Sequence, residues 1–251
     1  MTDSCLISKL SHYVELSPGD RDLVARLEEE ERPHGRHADI HLPGDERHEL
    51  HVVKEGWLYS YMEMPDGRRQ IVRIHHPGDI VGFTEIAYPE AVTGLRSVEP
   101  GTLCPFPRRH LDAIFTDSPR LTALLFTLAL REHVMLMDLL RANSRLSARE
   151  RLAYMICELA ARLRVTNPGM GDTLRIPLSQ SEIADHLGLT NVYVSKTITA
   201  MVQDRLVVRT EAGLRLLDEG RLRLLAGYDD RHAAIATDWF PKVDASARDI
   251  I

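Results

Sequence analysis

Ser179-Gln180-Ser181-Glu182-Ile183-Ala184-Asp185-His186-Leu187-Gly188-Leu189-Thr190-Asn191-Val192-Tyr193-Val194-Ser195-Lys196 lies in the last third of a 251-residue chain. Ser179 and Glu182 have the spacing of a capping box, which starts a helix by satisfying its free N–H groups. Ile183, Ala184 and Leu187 share one face of that helix, and Gly188 ends it. Leu189 completes a tight turn, and Thr190 caps a second helix that runs to about Gln203. Two short helices joined by a Gly-containing turn make a helix-turn-helix. On a helical wheel the second helix turns Val194, Ile198, Met201 and Val202 inward. Val192, Lys196, Thr199 and Gln203 lie opposite, flanked by Tyr193 and Ser195. Thr173 to Pro177 reads as a short strand before the motif. Leu206 to Arg209, the turn Glu211-Ala212-Gly213 and Leu214 to Leu217 read as a β-hairpin wing after it.

Such a face suits a groove of DNA. Lys196 can donate to guanine O6 and N7, the hydroxyls of Tyr193 and Ser195 reach phosphate or bases, and Val192 suits a thymine methyl. The candidate DNA-contacting residues are therefore Ser179, Gln180, Ser181, Thr190, Asn191, Val192, Tyr193, Ser195, Lys196, Thr199 and, in the wing, Arg209. Helix-turn-helix shapes also serve as plain scaffolding, and that alternative stays open at this point.

Upstream, Ser147-Ala148-Arg149-Glu150 is another capping box, opening a helix over Leu152 to Leu163 that ends in the loop Asn167 to Gly171. Before it, Asp117 or Ser118 caps a long helix opened by Pro119 and running to about Arg141. Leucines, valines and methionines cover far more of its circumference than one core requires. One face should pack on its own domain and another on the same helix of a second subunit, with Leu121, Leu124, Leu128, Met135 and Leu139 as the dimer seam. The alternative is a central core helix of a monomer.

Further upstream, Ser17-Pro18-Gly19-Asp20 starts a short helix ending near Glu29. From Arg36 to Pro107 short apolar stretches alternate with the turns Pro43-Gly44-Asp45, Pro65-Asp66-Gly67 and Pro77-Gly78-Asp79, the punctuation of a small barrel or jelly roll. Helical character returns at Arg108 to Phe115. The expected fold is α+β: residues 1–116 form a β-roll effector domain, 117–143 a dimerisation helix, 144–227 a winged helix-turn-helix, and 228–251 a C-terminal tail without usable pattern.

Composition sets bounds. No apolar run approaches the roughly 20 residues of a spanning helix, and Met1 to Leu10 has no signal-peptide pattern, so a cytoplasmic protein is expected. Cys5, Cys104 and Cys157 form no CxxC pair, and buried apolar filler is their plain reading. The net charge of −6 speaks against a nucleic-acid binder until it is divided. Residues 1–143 carry −7, residues 144–227 carry +3 and residues 228–251 carry −2. The only positive segment is the one with the helix-turn-helix, which is where an anionic partner would bind.

This order of parts resembles the cyclic-AMP receptor protein/FNR (CRP/FNR) family of bacterial regulators. The residues that carry the likeness are Gly44, Gly56, Pro77-Gly78-Asp79-Ile80-Val81-Gly82-Phe83, Leu103-Cys104-Pro105-Phe106-Pro107 and the Ser179 to Lys196 motif. The resemblance covers about residues 15 to 225. It implies a homodimer that binds double-stranded DNA at a near-palindromic site, an RNA polymerase partner and no membrane association. It also places an effector pocket at Gly82, Phe83, Glu85, Val92, Thr93 and Arg96. Two departures matter there. Family members that bind cyclic nucleotides follow the Gly with Glu and hold the phosphate with an Arg; here Phe83 and Val92 occupy those positions, so cyclic AMP is not the expected effector unless Arg96 has taken over the charge. Cys5 alone cannot supply the cysteine run of an iron-sulfur sensor. No cofactor is expected; haem is the one remaining family cofactor, with His75, His76 or Cys104 as axial ligand. In the recognition helix, Val192 stands where much of the family has Glu, so the half-site should differ at the base pair that Glu would read.

A jelly roll with twelve histidines also invites a cupin-like metal enzyme. Gly35 to His41 begins the cupin pattern, but Pro43 stands at the second His, and proline cannot ligate a metal. No GxSxG, P-loop or paired catalytic carboxylate occurs either, so neither a catalytic residue nor a metal site is assigned. A dimeric interaction scaffold without DNA recognition is the third class, opposed by the basic segment and the Lys196 face.

Overall fold

A computed structural model describes residues 4–46 and 48–242. The chain opens with helices α1 (Cys5–Ser11) and α2 (Pro18–Ala25), the latter started by the Ser17/Asp20 capping box and extended by a 3-10 turn, Arg26–Glu28. Strands β1 (Arg32–His34), β2 (Asp39–His41), β3 (Glu49–Glu55), β4 (Leu58–Glu63), β5 (Arg69–His75), β6 (Ile80–Val81), β7 (Gly94–Ser97) and β8 (Gly101–Pro107) follow. They form two antiparallel four-stranded sheets, in the orders β1-β8-β3-β6 and β2-β7-β4-β5. This is the β-roll that the turn punctuation predicts. Gly78 shows why one of those turns needs glycine: its φ is +90°, and a Cβ there would meet the Cys5 carbonyl oxygen at 2.8 Å.

Helices α3 (His110–Asp117) and α4 (Pro119–Arg145) lead out of the roll. Ser118 caps α4 through Leu121 N–H at 3.2 Å. The helix passes the expected end by four residues, stopping at Arg145. Helix α5 (Ala148–Thr166) starts at the Ser147/Glu150 capping box. Strand β9 (Thr173–Arg175), helices α6 (Gln180–Leu187) and α7 (Asn191–Gln203), strands β10 (Val207–Thr210) and β11 (Gly213–Leu216) and helix α8 (Glu219–Ala226) complete the C-terminal unit. Its sheet runs β10-β11-β9.

The seam assigned to α4 needs correction. Leu121 and Leu124 are fully buried in the subunit's own core with Leu50 and Phe106. Met135 is buried beside Ile74, Tyr154 and Met155, while Leu128 and Leu139 are half-buried. The face that remains open carries Phe126, Leu130, His133, Met137 and Leu140, with Leu140 70% exposed. An almost wholly apolar helix gives no sign of which stripe its own domain takes, so Leu121 and Leu124, expected at a subunit seam, lie in the chain's own core instead.

The two units share one core. Trp57, Tyr59, Tyr61, Ile71, Ile74 and Val98 of the roll join Leu152, Ile156, Ile183 and Leu187 of the C-terminal unit. Polar contacts fix the register of this junction. Arg69 pairs with Asp185 at 2.6 Å, Gln70 Nε2 donates to the His186 carbonyl at 2.9 Å, and His186 Nδ1 lies 3.0 Å from the Ile71 carbonyl. The tail is ordered into the fold as far as it is described: Tyr228, His232 and Phe240 are buried, and Tyr13 donates to the His232 carbonyl at 3.0 Å. Residues 1–3 of the assigned β-roll unit and 243–251 of the assigned tail lie outside the described residues. Cys104 and Cys157 are buried as expected, whereas Cys5 is only partly so.

Candidate DNA-reading face and effector cavity

Ser179 accepts from Glu182 N–H at 3.2 Å while Glu182 accepts from Ser179 N–H at 2.7 Å, the reciprocal cap that starts α6. Gly188, with φ of +64°, ends the helix in the left-handed conformation that lets the chain turn into α7. Thr190 caps α7 through Tyr193 N–H at 3.3 Å. Val194, Ile198 and Met201 are sealed against Leu206 and Val207. The opposite face is bare: Val192 is 59% and Tyr193 58% exposed, with Asn191, Lys196 and Thr199 also exposed and Ser195 half-buried. Exposed apolar residues at the start of a short helix cost solvation unless a partner covers them. Ser179 and Ser181 stand exposed at the start of α6 with Gln180 half-buried between them, and Arg209 is exposed on β10, opposite Leu214 of β11. The assigned reader residues thus lie on the helix-turn-helix and its wing as the spacing predicts.

The second site is a cavity of about 370 Å³ between the roll and α4. Gly82, Phe83, Glu85, Val92 and Thr93 line it, as the resemblance implies. Glu85 accepts from Val92 N–H at 3.1 Å and from the Thr93 hydroxyl. Arg96 is a correction. It points along the outside of β7, 3.6 Å from Asp39 and donating to the His37 carbonyl at 3.2 Å, and it does not line the cavity. Alternation along a strand explains this: Arg96 pairs with Tyr59 in the register of β4 and β7, so its side chain follows the face set by that register.

Sequence reasoning missed the cationic part of the lining: Lys9 of α1, Arg73 of β5 and Arg131 of α4. Lys9 and Arg162 of α5 both pair with Asp79, and Arg73 pairs with Glu132 at 2.6 Å. Asp79 is completely enclosed. Burial pushes its carboxyl up, but His76, Lys9 and Arg162 outweigh that and hold it well below the usual range. A basic residue inside an otherwise apolar helical stripe, as Arg131 and Arg162 are, was the one available signal for this cluster.

The histidines and cysteine considered as haem ligands are engaged or enclosed. His75 Nε2 lies 2.8 Å from the Ser60 hydroxyl, and burial holds His75 well below its ordinary pKa. His76 is pushed down to about 3, chiefly by burial. Cys104 sits in the core with Leu50 and Phe106, and burial raises its thiol to about 11. Ligation by His75 through Nε2 would require breaking its bond to Ser60.

A β-roll leading through a long helix into a winged helix-turn-helix is the architecture of a class of DNA-binding transcription regulators. Residues 150–225 match the Crp-like helix-turn-helix domain, and residues 32–118 match the cyclic nucleotide-binding domain. Among curated relatives, the nitrogen fixation regulation protein FixK of Bradyrhizobium diazoefficiens is 33% identical over 175 residues, covering 69% of this chain and 72% of that protein. The transcriptional activatory protein AadR of Rhodopseudomonas palustris is 29% identical over 223 residues, covering 88% and 91%. The solved structure of FixK2 from Bradyrhizobium japonicum has the same fold, with a TM-score of 0.72 at 22% identity over 80% of this chain and 98% of that one. The chain belongs to the CRP/FNR family of transcription regulators. None of these relationships supports the cupin-like reading. Among the described residues no helix is long and apolar enough to cross a membrane.

Proposed function

We propose that this regulator is a cytoplasmic, non-enzymatic homodimer that reads a near-palindromic operator through α7 and contacts RNA polymerase from the bound site. The observation that carries the reading is the bare N-terminal half of α7, where Val192, Tyr193 and Lys196 stand clear of a sealed inner face. The 4-3-4-3 spacing of Phe126, Leu130, His133, Met137 and Leu140 on the open side of α4 supports a paired helix as the dimer contact. A two-fold axis along it sets the two α7 helices about 34 Å apart, so half-sites are one turn apart.

Lys196 is the main polar reader and Val192 an apolar one. Selection of binding sites from random DNA tests this. Lys196→Ala should weaken binding by about 1–3 kcal/mol per subunit and relax preference at one guanine, whereas Arg209→Ala should weaken all sequences alike and flatten the salt dependence. An unchanged consensus for Lys196→Ala would refute the reader. The signal enters through the cavity beneath α4, and the arginine with which cyclic-nucleotide binders of the family hold the phosphate is missing from it: Val92 stands at that position and Arg96 lies outside the lining. No cofactor is assigned.

A further inference from the structure

Three cations and three carboxylates line the effector cavity, and their pairing is unequal. Lys9 is neutralised by Asp79 and Arg73 by Glu132. The two oxygens of Glu85 accept from Val92 N–H and the Thr93 hydroxyl. Arg131 is left over. Its side chain belongs to a residue only 9% exposed, its Nη1 donates to the Tyr13 hydroxyl at 2.5 Å, and its guanidinium lies 5.0 Å from the centre of the Tyr13 ring. Its Nε is buried without a hydrogen-bond partner, and no carboxylate pairs with it among the described residues. Arg131 also sits beside Leu130 on α4 but is turned inward, so a second subunit docked on the open face does not supply the missing charge.

A guanidinium cannot shed its proton to relieve such a position. Removing it from water without an anion is costly, and the cost falls when an anion arrives. The rest of the lining says what the anion is attached to. Leu10, Met62, Val72, Phe83, Leu125 and Leu128 give the cavity a mostly apolar wall. Its volume lies at the lower end of small-molecule sites.

We propose that the cavity binds a small organic monoanion, an apolar body ending in one carboxylate or comparable group, with Arg131 as the residue that receives the charge. This rests on the reading of the cavity as the effector site. The same acid would lie next to the Lys9-Asp79-Arg162 pairing, through which α5 of the DNA-binding unit touches the roll.

The test uses the full-length dimer and two sets of probes: octanoate, octanol and octylamine, and benzoate, benzyl alcohol and benzylamine. Calorimetry and thermal unfolding should show at least one acid binding tenfold or more tightly than its own alcohol and amine. In Arg131→Gln that preference should vanish while alcohol binding stays the same, and Arg131→Lys should restore part of it. Acids binding no better than their alcohols in the parent protein would overturn the proposal whether or not the variants fold, as would an acid preference that survives Arg131→Gln. Either result leaves the operator selected by the parent protein untouched, so the DNA-reading assignment is judged separately.

Discussion

The caps and the turn that set the two helices of the DNA-reading motif lie between Ser179 and Tyr193, whereas the effector cavity draws on α1, β4, β5, the Phe83–Glu85 turn and α4. In the first, caps and a left-handed glycine fix the geometry from within a few residues of one another. In the second, Lys9 meets Asp79 across a separation of 70 residues, and Arg162 meets it across 83. Local geometry can be changed one residue at a time. A cluster assembled from distant segments ties those segments together, so a single change there should spread.

The largest effect should come from the helix that joins the two regions. Leu130→Asp or Met137→Asp places a charge from each subunit on the proposed seam, at several kcal/mol per ion, and sedimentation should show monomers. Unchanged dimers in both variants would remove the open face of α4 as the contact.

Next comes the cluster itself. Asp79→Ala strands Lys9 in the interior, leaves Arg162 with Glu158 alone, and should cost about 3–5 kcal/mol in denaturant unfolding. A loss below about 1 kcal/mol would mean that the distant segments are held by apolar packing alone.

The pH dependence sharpens the same point. His76 is neutral when folded, with its pKa lowered to about 3 from an ordinary 6.5. The unfolded chain therefore binds the extra proton first, and stability should fall as pH drops below about 6.5 toward 3. The depressed pKa of Asp79 adds a further loss at the acid end of that range, below its ordinary 3.8. Replacing His76 with Leu should lessen the slope between pH 6.5 and 5, with the buried His75 supplying part of what remains, read from urea midpoints at each pH.

The smallest effect belongs to the local unit. Ser179→Ala removes one cap of α6 and should cost about 1 kcal/mol in denaturant unfolding. A cost equal to that of Asp79→Ala would erase the distinction between the two regions.

The same contrast explains what could be read from the amino acids. The helix-turn-helix and its wing were legible almost residue by residue, because capping spacing, Gly188 and the inward Val194, Ile198 and Met201 are local patterns. The β-roll was legible as turns, and the cavity in part, through Gly82, Phe83, Glu85, Val92 and Thr93. Lys9 and Arg73 were not, and Arg131 only as a basic residue inside an apolar helix, since nothing near them in the sequence says that they meet. The face of α4 escaped for a different reason: leucines on nearly every side satisfy two assignments equally, and only the packing of Leu121 and Leu124 on Leu50 and Phe106 separates them.

The Tyr13–His232 contact joins points 219 residues apart, and it has a consequence for how the molecule is made. A ribosome adding about 5–20 residues per second delivers the later partner some 11–44 s after the earlier one. Through that interval the Tyr13 hydroxyl has no His232 carbonyl to donate to. The lining of the effector chamber, which ends at Leu136, therefore leaves the ribosome before the DNA-reading unit, and the clasp on Tyr13 closes after both.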